Sequence, residues 1–409
     1  MEPVVITGRG ALSPLGNAAQ TAVAVAEGQV AYGPIEDEVL GRLDRSGDPE
    51  ALRTRMAGRV EYNPREVFPG RNFRPVDRTG QLAILAAEGA LEGVEVAEED
   101  RRGAFIGLVL GTMFGSVHTI SAFDRRGLEA GPKYVKPLDF ANSVINAAAG
   151  QAAIWLGLTG TNSTVTGGAA AGVLALAQAT QLIRDGRAHA LLAGGSEELS
   201  YEGLVGFEQA GLLSSGGRVR PFDRDRDGTV LGEGSALLLL ESQGAATLRG
   251  ARPLGRVLGH GSAFDTSRGR DPERAASALE RAIRVALKDA GSPVDTINAV
   301  FTGACGLPGD VAEAKALAAV FGDAVPVTGT ASNLGCCLGA GGAFQALGLL
   351  HAFEGGRLPA LGGFERAPTE VSSLDWCREA RTVDCRRGVL TATSFDGVVA
   401  AVVLERAGG

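Results

Sequence analysis

The chain has 409 residues, 45% of them hydrophobic and 21% charged, which is an ordinary globular profile with room for two core-bearing units. Its net charge of −8 is spread over the sequence rather than blocked, which argues against nucleic acid and against anionic membrane surfaces as partners. No apolar run approaches bilayer-spanning length and the strand-forming Val4, Val5 and Ile6 come at once, so we expect no transmembrane helix, no signal peptide and a cytoplasmic location.

The N-terminal VVITGRGALSPLG reads as a strand followed by a Gly-rich loop. It has the outline of a dinucleotide fingerprint, but Ser13 stands where the third glycine belongs and Pro14 follows, so no such cofactor is expected. Residues 30–70 read as an irregular surface excursion. Asp77 caps a helix with apolar periodicity, DRTGQLAILAAEGALEG. Ala104 to Gly111 reads as a buried strand, and Thr112 opens a helix-like stretch on which Ser116, Thr119, Ile120 and Phe123 share one side. The plain reading of that side is a core-facing stripe. FANSVINAAAGQAAIWLGLTG, residues 140–160, reads as one helix.

The stretch from Thr161 to Ser196 organises the rest. A short β-branched strand, Ser163 to Thr166, meets a tight Gly167-Gly168 turn. An Ala/Leu-rich helix then runs to about Arg184, Asp185-Gly186 ends it, and Ala188 to Ala193 forms a second buried strand. A strand that turns on glycines into a helix N-terminus exposes a nucleophile where backbone N–H groups can stabilise an anion. Here the residue at the tip is Ala169, and a methyl group has no such chemistry.

Arg220 to Ser242, RPFDRDRDGTVLGEGSALLLLES, is a charged loop leading into strands. Asp223, Asp225, Asp227 and Gly228 are spaced like the opening of an EF-hand, but the twelfth position is Gly234 and strands follow, so calcium is not expected and the charges read as an ion-pair lattice. Beyond Ala245 the pattern restarts: Leu254 to Gly259 is a strand, Pro272 to Gly291 an amphipathic helix, and Ile297 to Gly303 a buried strand. Gly335 to Glu354 then repeats the glycine turn and small-residue helix, and VLTATSFDGVVAAVVLER closes the chain as a strand pair. Two similar halves, residues 1–245 and 246–409, imply a duplicated α/β unit with stacked sheets around shared helices. The cysteines Cys305, Cys336, Cys337, Cys377 and Cys385 lie in the last third without a C-x-x-C pair, and the four histidines are scattered, so neither a metal site nor a structural disulfide is expected.

The turn at Ala169, the Asp77-Arg78 helix and above all Arg220 to Ser242 resemble the β-ketoacyl-ACP synthases, and the resemblance covers essentially the whole chain. It implies a thiolase-like fold in α-β-α-β-α layers. It also implies a catalytic cysteine, two histidines and a lysine, whose places fall on Ala169, Thr302, Cys336 and Ala331. Thr302 is located by the following Gly309-Asp310, and Ala331 and Cys336 by Ser332, Asn333 and Gly335. All four are replaced. The family's Gly-Phe-Gly-Gly loop also departs, since Ser394-Phe395-Asp396-Gly397 runs into Val398, which puts its oxyanion hole in doubt. A relocated thiol at Cys305, Cys336 or Cys337 would need a base or cation nearby, and no histidine is near in sequence, so these read as small buried hydrophobes.

Such a scaffold resembles the chain-length factor, the inactive partner of an active ketosynthase in type II polyketide systems. Aromatic-polyketide members carry glutamine in place of Ala169, which points to another branch, such as the highly reducing systems that make polyenes. The resemblance implies a heterodimer with a catalytic ketosynthase, a growing chain borne by acyl carrier protein, and no cofactor. Allowing one gap, it implies tunnel positions at Ser116, Thr119 and Phe123, with small Ser116 deepening a cavity gated near Phe123. Two rivals stay open: a ketosynthase-like enzyme with relocated or residual acyl transfer, and a purely structural scaffold partner.

Overall fold

Alternating apolar residues along each strand feed two different cores, which is why the sheet can be covered on both faces. In the computed structural model, which describes residues 2–36, 52–70, 72–94, 106–371 and 373–408, the N-terminal half supplies β1 (Val4–Ser13), β2 (Ile106–Gly111), β3 (Asn162–Val165), β4 (Ala190–Glu197) and β5 (Gly234–Ser242). The C-terminal half supplies β6 (Gly255–Phe264), β7 (Ala299–Thr302), β8 (Val327–Gly329), β9 (Arg387–Thr393) and β10 (Val398–Arg406). Read outward from the centre, the order is β1-β5-β4-β2-β3 in one half and β6-β10-β9-β7-β8 in the other. In both, the first two pairings are antiparallel and the last two parallel. The duplication expected from the sequence is therefore present in topology. The halves are joined edge to edge where Val4, Val5 and Ile6 pair with Val257, Arg256 and Gly255.

The helices that position the site are α1 (Arg78–Ala90), α2 (Val117–Ala130), α3 (Ala147–Leu156), α4 (Ala171–Arg184), α5 (Pro272–Asp289), α6 (Asp310–Phe321) and α7 (Gly341–Gly355). Helices α4 and α7 lie between the halves: Val173, Leu176, Ala346 and Leu349 share one core with Leu191 and Leu238 of one half and Phe301 and Val402 of the other. Helices α5 and α6 cover the outer face of the C-terminal half, and α1 and α3 that of the N-terminal half. This gives the α-β-α-β-α layering. Alternation decides which core a side chain enters: Val109 joins the central core, Leu108 and Leu110 the outer one.

Several elements differ from the sequence reading. The expected loop after Ile6 is strand, because β1 runs on to Ser13 and pairs with β5. Its glycines serve close approach: a Cβ on Gly10 would lie 1.9 Å from Ala86 O, and one on Gly8 2.1 Å from Ala90 O, both in α1. Residues 140–160 are not one helix. A short helix ends at Ala141 and α3 starts at Ala147, because Ser143 Oγ donates to Phe140 O at 2.7 Å, a local bond that competes with a continuous helix, and Asn142 Nδ2 is drawn to the distant Pro75 O at 2.7 Å. The helix expected from Thr112 begins at Val117, since Thr112 Oγ1 instead accepts from Gly115 N–H at 3.0 Å. Within residues 30–70, Met56–Gly58 pairs with Gly33–Pro34 and with Leu231–Gly232. Asp77 caps α1 as expected, accepting from Gly80 N–H at 2.8 Å. Ala104 and Phe105 of the expected strand lie outside the described residues. Among the described residues, no helix is long and apolar enough to cross a membrane.

Candidate functional site

Between β3 and α4 the chain reverses on Gly167 and Gly168. Gly168 has φ +53, and a Cβ there would meet Ser394 Oγ at 1.8 Å, so the position admits glycine alone. The next residue, Ala169, is half-buried at the tip of the turn. Its N–H donates to Ser394 Oγ at 3.1 Å. Ser394 is fixed in the tight connection between β9 and β10, where its N–H donates to Val398 O at 3.0 Å and its O accepts from Gly397 N–H at 3.0 Å. A backbone N–H at such a turn is the natural donor to an oxyanion, and here a serine hydroxyl has taken it.

Ala169, Thr302, Ala331 and Cys336 line one cavity of about 30 Å³, the share of a single water molecule. Thr302 ends β7, Ala331 opens the turn Ala331–Leu334 and Cys336 follows it. The four positions named by resemblance thus converge, and they present a methyl, a hydroxyl, a methyl and a thiol. A second cavity of about 170 Å³ runs from Ala169 past Leu307 to the exposed Arg268 and Phe395. Phe395 stacks edge-on against Phe207 at 5.7 Å. A cavity of about 680 Å³ beside Arg184, Leu239 and Leu248 shares no residue with either.

Behind Thr302 sits Glu313 of α6, fully buried. Its Oε1 accepts from Thr302 Oγ1 at 2.5 Å, Thr391 Oγ1 at 2.6 Å and Gly303 N–H at 3.3 Å, while Oε2 has no partner among the described residues. Burial pushes the carboxyl up to about 7, against the pull of the two hydroxyls. Among the described residues no cation pairs with it. Gln345 of α7, 3% exposed, also lines the small cavity and leaves its Oε1 unpartnered. Neither residue was singled out from the sequence. Glu313 had a signal, since it lies on the helix that Gly309-Asp310 introduces; Gln345 had none beyond its place in a small-residue helix.

The tunnel positions are elsewhere. Ser116 is 1% exposed at the N-cap of α2, facing Asp77 without reaching hydrogen-bond geometry. Thr119 and Phe123 are half-buried on α2, and Phe123 lies 5.9 Å from the ring of exposed Phe140. None of the three lines either cavity at Ala169. The core-facing reading of this stripe holds for Ser116 alone, since Thr119, Ile120 and Phe123 are only half-buried and α2 itself buries no residue: periodicity marks an apolar side without saying what covers it.

The acidic loop is tied down largely by segments outside it. Asp223 accepts from the N–H groups of Glu365, Arg366 and Asp225 at 2.7–2.8 Å, Asp225 pairs with Arg366, and Asp227 accepts from the Ser214 and Ser215 hydroxyls at 2.7 Å. These donors hold the carboxyls of Asp223 and Asp227 below their usual range despite the opposing effect of burial.

The sequence matches Beta-ketoacyl synthase, N-terminal domain, over residues 1–246, and Beta-ketoacyl synthase, C-terminal domain, over residues 254–365. The chain belongs to the β-ketoacyl synthase family. Among β-ketoacyl synthases it is 33% identical over 359 residues to the 3-oxoacyl-[acyl-carrier-protein] synthase 2 of Vibrio cholerae serotype O1, covering 84% of each chain. It superposes on the ishigamide ketosynthase/chain length factor with a TM-score of 0.90 at 28% identity, covering 100% of both chains. A type II polyketide synthase ketosynthase, bound to a hexaketide and in complex with its acyl-carrier protein, gives a TM-score of 0.87 at 25% identity over 99% of this chain and 100% of that one.

Proposed function

We propose that this β-ketoacyl synthase relative is a noncatalytic chain-length factor, which pairs with a catalytic ketosynthase and shapes the tunnel for an acyl chain carried by acyl carrier protein. The observation that carries the reading is at the turn: Ala169 offers no nucleophile and its N–H is already bonded to Ser394. A decarboxylative condensation needs a thiolate to hold the acyl group and free donors for the enolate oxygen. Thr302 bonded to Glu313, with Ala331 and Cys336 completing the set, supplies neither an imidazole nor an ammonium.

The surface supports a partner. Among the described residues strand β3 is a sheet edge whose one neighbour is β2, and an open edge is a template for pairing with another chain. Helix α3, which packs against β3, carries Ile154, 79% exposed, and the segment before α3 carries Leu138, Phe140 and Val144, which are 51%, 64% and 50% exposed. Helix α2 borders this apolar region, so a tunnel bounded by Thr119 and Phe123 would close when the partner docks, and Ser116 would act from behind as backing. The reading takes residues 1–245 and 246–409 as the two thiolase-like halves, in keeping with the mirrored strand order.

The test is reconstitution with an intact ketosynthase, acyl carrier protein and a malonyl extender. Ile154→Arg should weaken pairing at least about tenfold by gel filtration, and Phe123→Ala in the assembled pair should lengthen the product. Sustained condensation by this chain alone, or an acyl adduct on it, would sink the proposal.

A further inference from the structure

Read from sequence, Cys305 and Cys336 are unrelated small buried residues. The fold brings them together: Cys305 follows β7, Cys336 precedes α7, both belong to one buried cluster, and both line the 30 Å³ cavity and the 170 Å³ mouth. Both are free thiols.

The two sulfurs are not equivalent. Cys336 faces the Cys305 S–H and the Leu338 N–H, donors that hold its pKa below the usual thiol value against burial and the carboxylates of Asp310 and Glu197. Cys305 moves the opposite way, pushed up by the facing Cys336 and by burial. The neighbouring Cys337 faces only acceptors, Leu334 O at 3.9 Å and Gly335 O at 3.7 Å, and stays protonated.

We infer that Cys305 and Cys336 form a peroxide-sensitive dithiol that closes to a disulfide where the two cavities meet. The Cys336 thiolate attacks one oxygen of hydrogen peroxide: the S–O bond forms, the O–O bond breaks, and the departing hydroxide takes up a proton to become water. The Cys305 thiol then attacks the Cys336 sulfur. The S–S bond forms, the S–O bond breaks, and hydroxide leaves with the Cys305 proton as a second water. Two thiols lose two electrons and one peroxide gains them. Size selects the oxidant, since the thiols are reached through a mouth of about 170 Å³ and an inner cavity of about 30 Å³, spaces that admit peroxide and are too small for glutathione disulfide. The step needs no oxyanion donor, so it is indifferent to Ser394 and independent of the reading above.

The full chain, reduced and then titrated with hydrogen peroxide, is blocked with N-ethylmaleimide and mapped by peptide mass spectrometry. The expected result is a Cys305–Cys336 cross-link forming about tenfold faster than oxidation at Cys337, Cys377 or Cys385. Cys305→Ser should leave Cys336 as a sulfenic acid trapped by dimedone, Cys336→Ser should abolish reaction at both positions, and Cys337→Ala should leave the cross-link intact. Glutathione disulfide in place of peroxide should give no cross-link. Oxidation that begins at Cys337, Cys377 or Cys385, a Cys336 that passes to sulfinic acid without cross-linking, or equal reaction with glutathione disulfide overturns the inference.

Discussion

Glu197 at the end of β4 and Glu313 on α6 are both fully buried, and burial pushes both carboxyls up to about 7, yet their surroundings have little in common. Glu197 uses both oxygens: Oε1 accepts from Phe114 N–H at 2.9 Å, and Oε2 from Met113 N–H at 2.6 Å, Gly339 N–H at 3.2 Å and Thr112 Oγ1 at 3.3 Å. It ties the end of one half's sheet to the turn before α7. Glu313 keeps one oxygen without a partner among the described residues, behind a cavity lined by Thr302, Ala331 and Cys336. Equal burial thus hides two conditions, a carboxylate the fold requires and one the fold merely retains, and satisfaction of the oxygens separates them.

The largest expected effect breaks the better-satisfied side. Glu197→Ala leaves three buried N–H groups without an acceptor and should cost about 3–5 kcal/mol in urea unfolding. Glu313→Gln keeps an acceptor for Thr302 and Thr391 and removes the buried acid. Because the folded-state value is raised from 4.5 to about 7, the native protein holds a proton there that the unfolded chain has released. The stability this contributes is complete below pH 4.5 and is lost as pH climbs through about 7. Glu313→Gln should therefore be more stable than the parent at pH 8, by up to about 3 kcal/mol, and little different at pH 4.5. Glu197 is raised in the same window, so the pH slope should shrink without vanishing; an unchanged slope would show that Glu313 is not the titrating group. The smallest effect belongs to Ser394→Ala, which frees the Ala169 N–H and should cost about 1 kcal/mol while leaving this chain unable to take up an acyl group from acyl carrier protein, as read by intact mass.

Much of the architecture was legible because it rests on local pattern. The glycine turn with its small-residue helix occurs twice, at Gly168 and Gly335, and the apolar strands around them gave the duplication directly. The continuation of β1 through Gly8 and Gly10 was not legible, since the reason for those glycines is the backbone of α1 pressing against them. Nor was the placement of α2, whose apolar side is only half-covered by the described residues. At the site, motif spacing points to Ala169, Thr302, Ala331 and Cys336, and the fold brings those four positions to one cavity. Ser394 was visible as a departure from pattern, but its bond to a residue far away in sequence was not, and the idle oxygens of Glu313 and Gln345 acquire meaning only when distant segments meet.

That serine cap has a bearing on redesign. A cysteine placed at position 169 would stand beside a donor already bonded to Ser394 and a cavity wall of Thr302, Ala331 and Cys336, so that one substitution would not assemble a catalytic set. A search that changes one residue at a time meets level ground there, and several neighbours must change at once before it slopes.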